Sequence, residues 1–272
     1  MNDCDRDILR PGDALLRSVD VAVALKQIRY GREELEPGHC LARHRHLAAY
    51  AIVMLRGTFD QAGYAGRFRF VAGELLVQPT LDCHVNYMAR ARGATILRLP
   101  WPDSDELGGV YPLDDVDAIA RAAERDVEQA AAMTLEQYRR SRARATPGDL
   151  PDLLAADLAA ASVASSTMTS DRAASVASLA DWARRIGVAR ETASRAFSLA
   201  FGVSARRFRA ELHAREAWLR IVRTRDPLAD IAVSTGFADQ AHMTRSVGNM
   251  TGASPARWRR DVRVASYLRS YA

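Results

Sequence analysis

The feature that most constrains this chain is a glycine-centred turn, GFADQAHMTR from Gly236 to Arg245, which lies between two helical patterns. The pattern before the turn places residues at i, i+3, i+4 and i+7, which predicts one buried helix face: Leu228, Ile231, Ala232 and Thr235. Gly236 fits the end of that helix, where a left-handed residue is often needed, and Phe237 is predicted to fill the corner. The helix after the turn has a similar buried set: Met243, Val247 and Met250. Together these features predict a helix-turn-helix, whose second helix can enter the major groove of DNA.

The same pattern occurs about 50 residues earlier in the chain, with Gly187 as the turn glycine. The helix before it has an apolar face: Leu179, Trp182, Ala183 and Ile186. The helix after it buries a second set: Ala193, Ala196, Phe197, Ala200 and Phe201. One long helical pattern, from Ala205 to about Thr224, joins the two units. Asp226-Pro227 and Ser254-Pro255 each read as a cap followed by proline at a helix start.

The outward-facing residues of the two second helices are the candidate base-reading residues. On the first helix they are Arg190, Glu191, Thr192, Ser194 and Arg195, and on the second they are Gln240, Ala241, His242, Thr244 and Arg245. Arg195 and Arg245 occupy matching positions, and arginine suits bidentate contact with guanine. Asp239 is predicted to cap the second of these helices. Phosphate contacts are expected from Arg206, Arg207, Arg257 and Arg259.

Residues from about Ala177 to Arg260 resemble the AraC/XylS family of transcription regulators. The matching residues are Leu179, Ala183, Gly187, Ser194, Arg195, Phe197, Phe201, Gly202, Ala217, Ile231, Ala232, Gly236, Phe237, Asp239, Gln240, His242, Arg245, Gly252, Ser254 and Pro255. The resemblance implies double-stranded DNA as a partner, and RNA polymerase if the protein is an activator. The chain departs from the family where aromatic residues are usual, at Met243, Val247 and Thr251. Gly248 inside the second helix costs about 1 kcal/mol relative to alanine, so the second unit is expected to be the less stable.

Charge is unevenly distributed along the 272 residues. From residue 170 onward the net charge is +9, against +5 for the whole chain, which leaves −4 for the first 169 residues. A basic C-terminal half fits a nucleic-acid partner. The three cysteines, Cys4, Cys40 and Cys83, form no disulfide framework, and neither a signal peptide nor an apolar run of membrane length is found. We therefore expect a soluble, cytoplasmic protein with no membrane partner.

The N-terminal part, residues 1–112, shows short extended patterns separated by glycine and proline. Alternation predicts strands from Val19, over Tyr50–Leu55, around Phe68 and Phe70, over Leu75–Val77 and from Thr95 to Leu99, with a loop from Gly31 to Gly38. Such spacing favours a small antiparallel barrel or sandwich. The expected fold class is therefore α+β, with an N-terminal antiparallel β-barrel and a helical pair before an all-α domain that holds two helix-turn-helix motifs.

Two motifs within these strands are similar to those of the cupins, which are double-sheet barrels with an internal pocket. The first runs from Gly38 through His44, His46 and Tyr50 to Gly57, and the second from Gly73 through Pro79 and His84 to Asn86. In metal-binding cupins the matching histidines and a glutamate hold the ion, and Tyr50 stands in place of that glutamate. His44, His46 and His84 remain as ligands for a divalent transition metal such as zinc, iron, nickel or copper. The alternative is that these side chains shape a small-effector pocket or simply pack.

Residues 113–165 read as a helical pair, a long helix from about Leu113 to Ala145 and a second from Pro151 to about Ala164. The second has an apolar side formed by Leu153, Leu154, Leu158 and Ala161. The pair is a candidate homodimerisation element, the alternative being that both helices pack on their own barrel. A Ser/Thr/Ala-rich linker, 166–176, leads to the DNA-binding domain, 177–262, and a tail, 263–272.

The sequence therefore predicts a DNA-binding regulator, not an enzyme, that responds to a small effector in the N-terminal barrel. One alternative is a three-histidine cupin enzyme fused to a DNA-binding domain, which turnover by residues 1–165 alone would favour. Another is a constitutive DNA binder with an inert barrel, whose affinity would ignore metals and metabolites. A methylated-DNA repair protein would need a reactive cysteine near the helix-turn-helix pair, and no cysteine follows Cys83.

Overall fold

A computed structural model describes most of the chain as two compact units, one spanning residues 24–147 and the other beginning at residue 148. The described residues are 24–38, 40–88, 93–103, 107–146, 148–164 and 178–260. The predicted strand residues before Ala24, the linker 166–176 and the tail 263–272 lie outside them. Within the described part, no helix combines the length and the apolar character that crossing a bilayer requires.

The first unit is built from short strands that form two five-stranded sheets. The strands are β1 (Ala24–Lys26), β2 (Gly31–Leu35), β3 (Cys40–His46), β4 (Tyr50–Arg56), β5 (Thr58–Gly63), β6 (Gly66–Val71), β7 (Glu74–Gln78), β8 (Cys83–Met88), β9 (Ala94–Pro100) and β10 (Gly109–Pro112). One sheet has the order β1-β3-β8-β5-β6 and the other the order β10-β7-β4-β9-β2. All neighbouring strands are antiparallel except β1 and β3.

The predicted closed barrel is wrong, because no described strand pairing joins one sheet to the other. The predicted loop from Gly31 to Gly38 is also wrong in its first part, since β2 pairs with β9 at the sheet edge. This strand reads GREEL and carries no alternating apolar signal. It is held by polar contacts instead, from Arg98 to Glu33 and from the Thr95 hydroxyl to Glu34.

Two apolar layers stabilise this unit. One lies between the sheets and joins aromatic residues of β5 and β6 to aliphatic residues of β4, β7 and β9: Phe59, Phe68, Phe70, Ile52, Met54, Leu76 and Ile96. The other lies on the outer face of the second sheet, beneath helices α1 (Val116–Ala123) and α2 (Val127–Arg140). The single long helix predicted here is divided in two because Asp126 caps α2, accepting hydrogen bonds from the Glu128 and Gln129 amides at 2.9 and 3.2 Å.

The second unit is helical. Its helices are α3 (Leu150–Ala164), α4 (Leu179–Ile186), α5 (Arg190–Phe201), α6 (Ala205–Arg223), α7 (Leu228–Ser234), α8 (Gln240–Thr251) and α9 (Pro255–Arg260). The long helix α6 contacts α3, α5, α7, α8 and α9, so it is the common support of this unit. The prediction that Asp226 caps α7 is wrong, because the helix starts one residue later, after Pro227, without a side-chain cap.

Helix α3 belongs to this second unit, whereas α1 and α2 pack on the sheets of the first. The helix packs against α5 and α6, and its buried apolar residues include Leu154, Ala155, Leu158 and Ala159. The predicted apolar side is therefore partly wrong, because Leu153 is 46% exposed. Asp157 adds polar contacts to α4, accepting hydrogen bonds from Trp182 Nε1 and Arg185 Nη2, both at 2.9 Å.

Candidate nucleic-acid interface and histidine cluster

Both helix-turn-helix turns have the same hydrogen-bonded geometry. In the first, the Gly187 amide donates to Arg184 O at 3.2 Å and the Val188 amide to Ala183 O at 2.9 Å. In the second, the Gly236 amide donates to Val233 O at 3.2 Å and the Phe237 amide to Ala232 O at 2.9 Å. This pair of bonds is the Schellman arrangement, which places a left-handed residue after the helix. Gly187 and Gly236 have φ of +79° and +81°, so both predicted turn glycines are confirmed.

The second turn is more crowded than the first. A Cβ atom on Gly236 would lie 2.8 Å from Cε1 of the His213 ring, whereas one on Gly187 would meet no atom within 4 Å. Burial lowers the pKa of His213 to about 4, with a smaller contribution from Arg209, so this ring is neutral at pH 7. Phe237 is buried beside it and fills the corner as predicted.

These two glycines give a matched pair of substitutions. Gly187→Ala should cost about 1–2 kcal/mol of unfolding free energy, because alanine disfavours the left-handed region. Gly236→Ala should cost clearly more, because it adds the collision with His213. Denaturant unfolding of both variants measures the difference. Equal losses would show that the His213 ring moves aside freely.

The recognition helices, as we name α5 and α8, expose the same positions at an offset of 50 residues. The first three residues of each and the arginine at the sixth position are exposed: Arg190, Glu191, Thr192 and Arg195, and Gln240, Ala241, His242 and Arg245. Ser194 and Thr244 are half-buried at matching positions. Each helix buries its apolar face against the rest of the unit. Every predicted base-reading residue except Ser194 and Thr244 is exposed to solvent.

Local contacts order the start of each recognition helix. Arg190 Nε lies 3.1 Å from Glu191 Oε1, and Arg195 Nε donates to the Glu191 carbonyl at 3.4 Å. Hydrogen bonds from its own backbone amide and from Arg190 lower the pKa of Glu191. In the second helix Asp239 Oδ1 accepts a hydrogen bond from the His242 amide at 2.7 Å, which confirms Asp239 as the cap.

The core of the second helix-turn-helix contains a hydrogen bond where the core of the first contains packed aromatic rings. Phe197, Phe201 and Phe208 pack together in the first unit, with ring centroids 4.6 to 5.3 Å apart. In the second, Thr251 and Trp258 lie at the positions of Phe201 and Phe208, and Trp258 Nε1 donates to Thr251 Oγ1 at 2.7 Å. The Trp258 ring also packs edge-on against Trp218 of α6, at 5.5 Å. At position 251 the chain thus has a threonine that accepts a hydrogen bond from the Trp258 indole, in place of the aromatic residue that is usual there.

Removing this hydroxyl should leave a buried indole N–H without an acceptor. Thr251→Val is expected to lower the unfolding free energy by about 1–3 kcal/mol. Thr251→Ser keeps the oxygen and should cost less, so comparing the two by thermal denaturation isolates the hydrogen bond. A valine variant as stable as the serine variant would contradict this account of the second core.

In the first unit, three histidines lie together between the sheets. His44 and His46 are on β3, and His84 lies on β8, directly opposite His44 in the strand register. One nitrogen of each ring lies within 4.8 Å of the others, and the three side chains are 2%, 7% and 0% exposed. Tyr50, at the start of β4 in the other sheet, packs its ring 4.8 Å from that of His46. The structure therefore brings together all four residues that the sequence selected here.

Hydrogen bonds fix which nitrogens can act as ligands. His44 Nδ1 donates to the Ala42 carbonyl at 2.9 Å, and His84 Nδ1 donates to Asp82 Oδ2 at 3.1 Å. In the neutral rings, Nε2 of both residues then carries the lone pair. Tyr50 Oη lies 3.4 Å from His84 Nε2, which is long for a hydrogen bond, and burial raises the pKa of its phenol.

This set of donors fits a transition metal ion, because neutral imidazoles are the ligands that zinc, iron, nickel and copper favour. Among the described residues, the group of potential ligands contains these three histidines without a cysteine. Cys83, one residue from His84, points to the other face of β8, as alternation in a strand requires. Sequence reasoning missed Asp82, although its place two residues before His84 could have indicated it.

The match to a protein-family model agrees with the helical geometry. A family model described as a helix-turn-helix domain matches residues 182–261. An AraC-type DNA-binding protein from Chromobacterium violaceum is 24% identical, over 30% of this chain and 74% of that one, with a TM-score of 0.29. The C-terminal domain of AraT, a response regulator from Geobacillus stearothermophilus, is 21% identical, over 38% and 84%, with a TM-score of 0.31. ToxT from Vibrio cholerae, bound to an unsaturated fatty acid, is 8% identical over 85% and 94%, with a TM-score of 0.36.

Comparison with curated protein sequences finds no match. The matched region begins at Trp182 and includes both Schellman turns, both recognition helices and the helix that joins them. The C-terminal part of the chain is therefore an AraC-type helix-turn-helix DNA-binding domain, preceded by a domain rich in β-strands.

Proposed function

We propose that the protein reads two successive segments of the major groove with its recognition helices, and that a ligand in the β-rich unit controls this binding. The observation that carries the first part is the exposure pattern that α5 and α8 repeat at an offset of 50 residues. Successive major grooves on one face of DNA are about 34 Å apart. Two helices supported by one long helix, α6, suit such a target.

Arg195 and Arg245 are the proposed guanine contacts, because both are exposed at the same position of their helices. Neighbouring contacts would come from Arg190, Glu191, Thr192 and Ser194 on α5 and from Gln240, Ala241, His242 and Thr244 on α8. Arg206 and Arg257 are exposed and remain candidates for phosphate contacts. Arg207 is paired with Glu211 at 3.2 Å, and Arg259 donates to the Asp226 carbonyl, so these two are engaged within the protein.

For the β-rich unit, we propose a divalent transition metal at His44, His46 and His84, with Tyr50 beside it. The support is the buried cluster itself, in which one nitrogen of each ring lies within 4.8 Å of the others. A bound ion would supply a fixed positive charge between the sheets. The burial of all three histidines favours an ion or a small enclosed effector over a catalytic site, which must exchange substrate with solvent.

Two further partners follow from the same proposal. Helices α1, α2 and α3 are the proposed homodimerisation element; α1 and α2 lie on the outer sheet face of the first unit, and α3 lies in the second unit. Sedimentation equilibrium tests the dimer. If the protein is an activator, RNA polymerase is the expected further partner.

Selection of binding sites from random DNA tests the proposed function as a whole. The full chain should enrich one sequence with two conserved segments, and its affinity should change when a library of metals and metabolites is added. Enrichment that no ligand alters would leave a constitutive DNA binder. Failure to enrich any sequence would contradict sequence-specific binding.

A further inference from the structure

A buried carboxylate, that of Asp82, contacts the histidine cluster. Asp82 is 2% exposed and precedes β8. Its Oδ1 accepts a hydrogen bond from the Tyr64 amide at 3.1 Å, and its Oδ2 accepts one from His84 Nδ1 at 3.1 Å. An ionised side chain in such a place is costly unless it is paired and hydrogen-bonded.

The chain makes room for this carboxylate at the end of the neighbouring strand. A Cβ atom on Gly63 would lie 3.0 Å from Asp82 Oδ2 and 3.1 Å from His84 Cβ. The φ angle of Gly63 is not in the left-handed region, so it is the space, rather than the backbone, that favours glycine here. Gly63, Asp82 and His84 thus form one closely fitted group.

We propose that Asp82 is a positioning residue of a metal site: it holds His84 with Nε2 directed to the ion and balances part of the ion's charge. This inference rests on the proposed function, since it requires the cluster to bind a metal. A carboxylate that accepts the second N–H of a ligating histidine fixes the ring and raises its basicity, and losing it typically costs 10- to 100-fold in affinity.

Asp82→Asn, which introduces a neutral amide, should change which nitrogen of His84 carries the ring proton. Its oxygen can still accept from the Tyr64 amide, which turns its NH₂ group toward His84 Nδ1. That nitrogen must then act as an acceptor, so the ring proton moves to Nε2, where it blocks the proposed ligand atom. The substitution replaces the carboxylate of Asp82 by a neutral amide and moves the His84 ring proton from Nδ1 to Nε2, with almost no change in side-chain volume.

Cobalt(II) binding to the full chain tests the inference, because its visible absorption reports the ligands around the ion. The wild type should bind about one Co(II) per chain. Asp82→Asn should bind about 10- to 100-fold more weakly and with an altered spectrum. Asp60→Asn is the matched control, since Asp60 pairs with Arg69 on the outer face of β5, and it should bind as the wild type does. Circular dichroism without metal checks that each variant is folded.

The outcomes separate this inference from the proposed function. A wild type that binds no Co(II) would contradict the metal site itself, and the role of Asp82 with it. A wild type that binds Co(II), with the same affinity and spectrum in Asp82→Asn, would overturn only the role of Asp82. If Asp82→Asn does not fold, Gly63→Ala serves instead, because the added methyl group would crowd Asp82 Oδ2 at 3.0 Å and His84 Cβ at 3.1 Å and should disturb their contact. Unchanged affinity and spectrum in that variant would overturn the inference equally.

Discussion

Arg195→Ala should weaken binding to a selected DNA site by about 10- to 100-fold, and Arg245→Ala should do the same. A bidentate arginine–guanine contact contributes about 1–3 kcal/mol of discrimination, and each recognition helix presents one such arginine on its exposed side. Binding to random DNA should fall much less, because only one charge among many is removed. Titrations of both variants against the selected site and against random DNA, at one salt concentration, measure the two effects.

Arg121→Ala is the control for net charge, because it removes one arginine from the last turn of α1 in the other unit. It should leave the ratio between selected and random DNA unchanged. If Arg195→Ala and Arg245→Ala lower both affinities equally, their side chains touch only phosphate, and base reading must lie elsewhere on the recognition helices.

His44→Ala should abolish a metal-dependent stabilisation of the protein. An ion that binds only the folded chain stabilises it by about 2.7 kcal/mol at a concentration 100 times its dissociation constant. The wild type should therefore contain about one ion per chain by elemental analysis and melt at a higher temperature with added metal. His44→Ala, which removes one of three ligands, should lose both the ion and the shift.

His242→Ala is the matched control, because it removes an exposed histidine from α8 and should retain the ion. The metal site would be contradicted by a wild type that contains no metal and whose melting temperature does not change when zinc, iron, nickel or copper is added. The histidines would then serve as polar core or as part of an effector pocket.

The sequence predicted the DNA-binding unit well because its signals are local. A glycine after an apolar helix face specifies the turn whether or not the distant chain is known, and Gly187 and Gly236 both adopt it. Asp239 caps α8 through an amide three residues away. The histidine cluster was also predictable in part, because His44 and His46 alternate on one strand, and the pairing with His84 follows from the motif.

The features that the sequence did not reveal depend on partners far along the chain. Strand β2 is polar and is specified by its pairing with β9, about 60 residues later. Helix α3 is apolar on nearly every side, so its periodicity could not show which unit it joins. The helix packs against α5 and α6, and Asp157 adds hydrogen bonds from Trp182 and Arg185, all of which are distant in sequence. The contacts of Asp82 with Tyr64 and His84 likewise appear only in the folded chain. The separation of the two sheets could not be predicted either, because the periodicity of a strand does not show which strand it pairs with at the edge of a sheet.

Guanine-modification interference on a selected site tests the central claim most directly. The wild type should show two clusters of essential guanines on one face of the duplex, separated by about one helical turn, 10–10.5 base pairs. Arg195→Ala should lose one cluster and Arg245→Ala the other. A single cluster, or two clusters that both variants leave intact, would contradict the claim that the two recognition helices each read one segment of DNA.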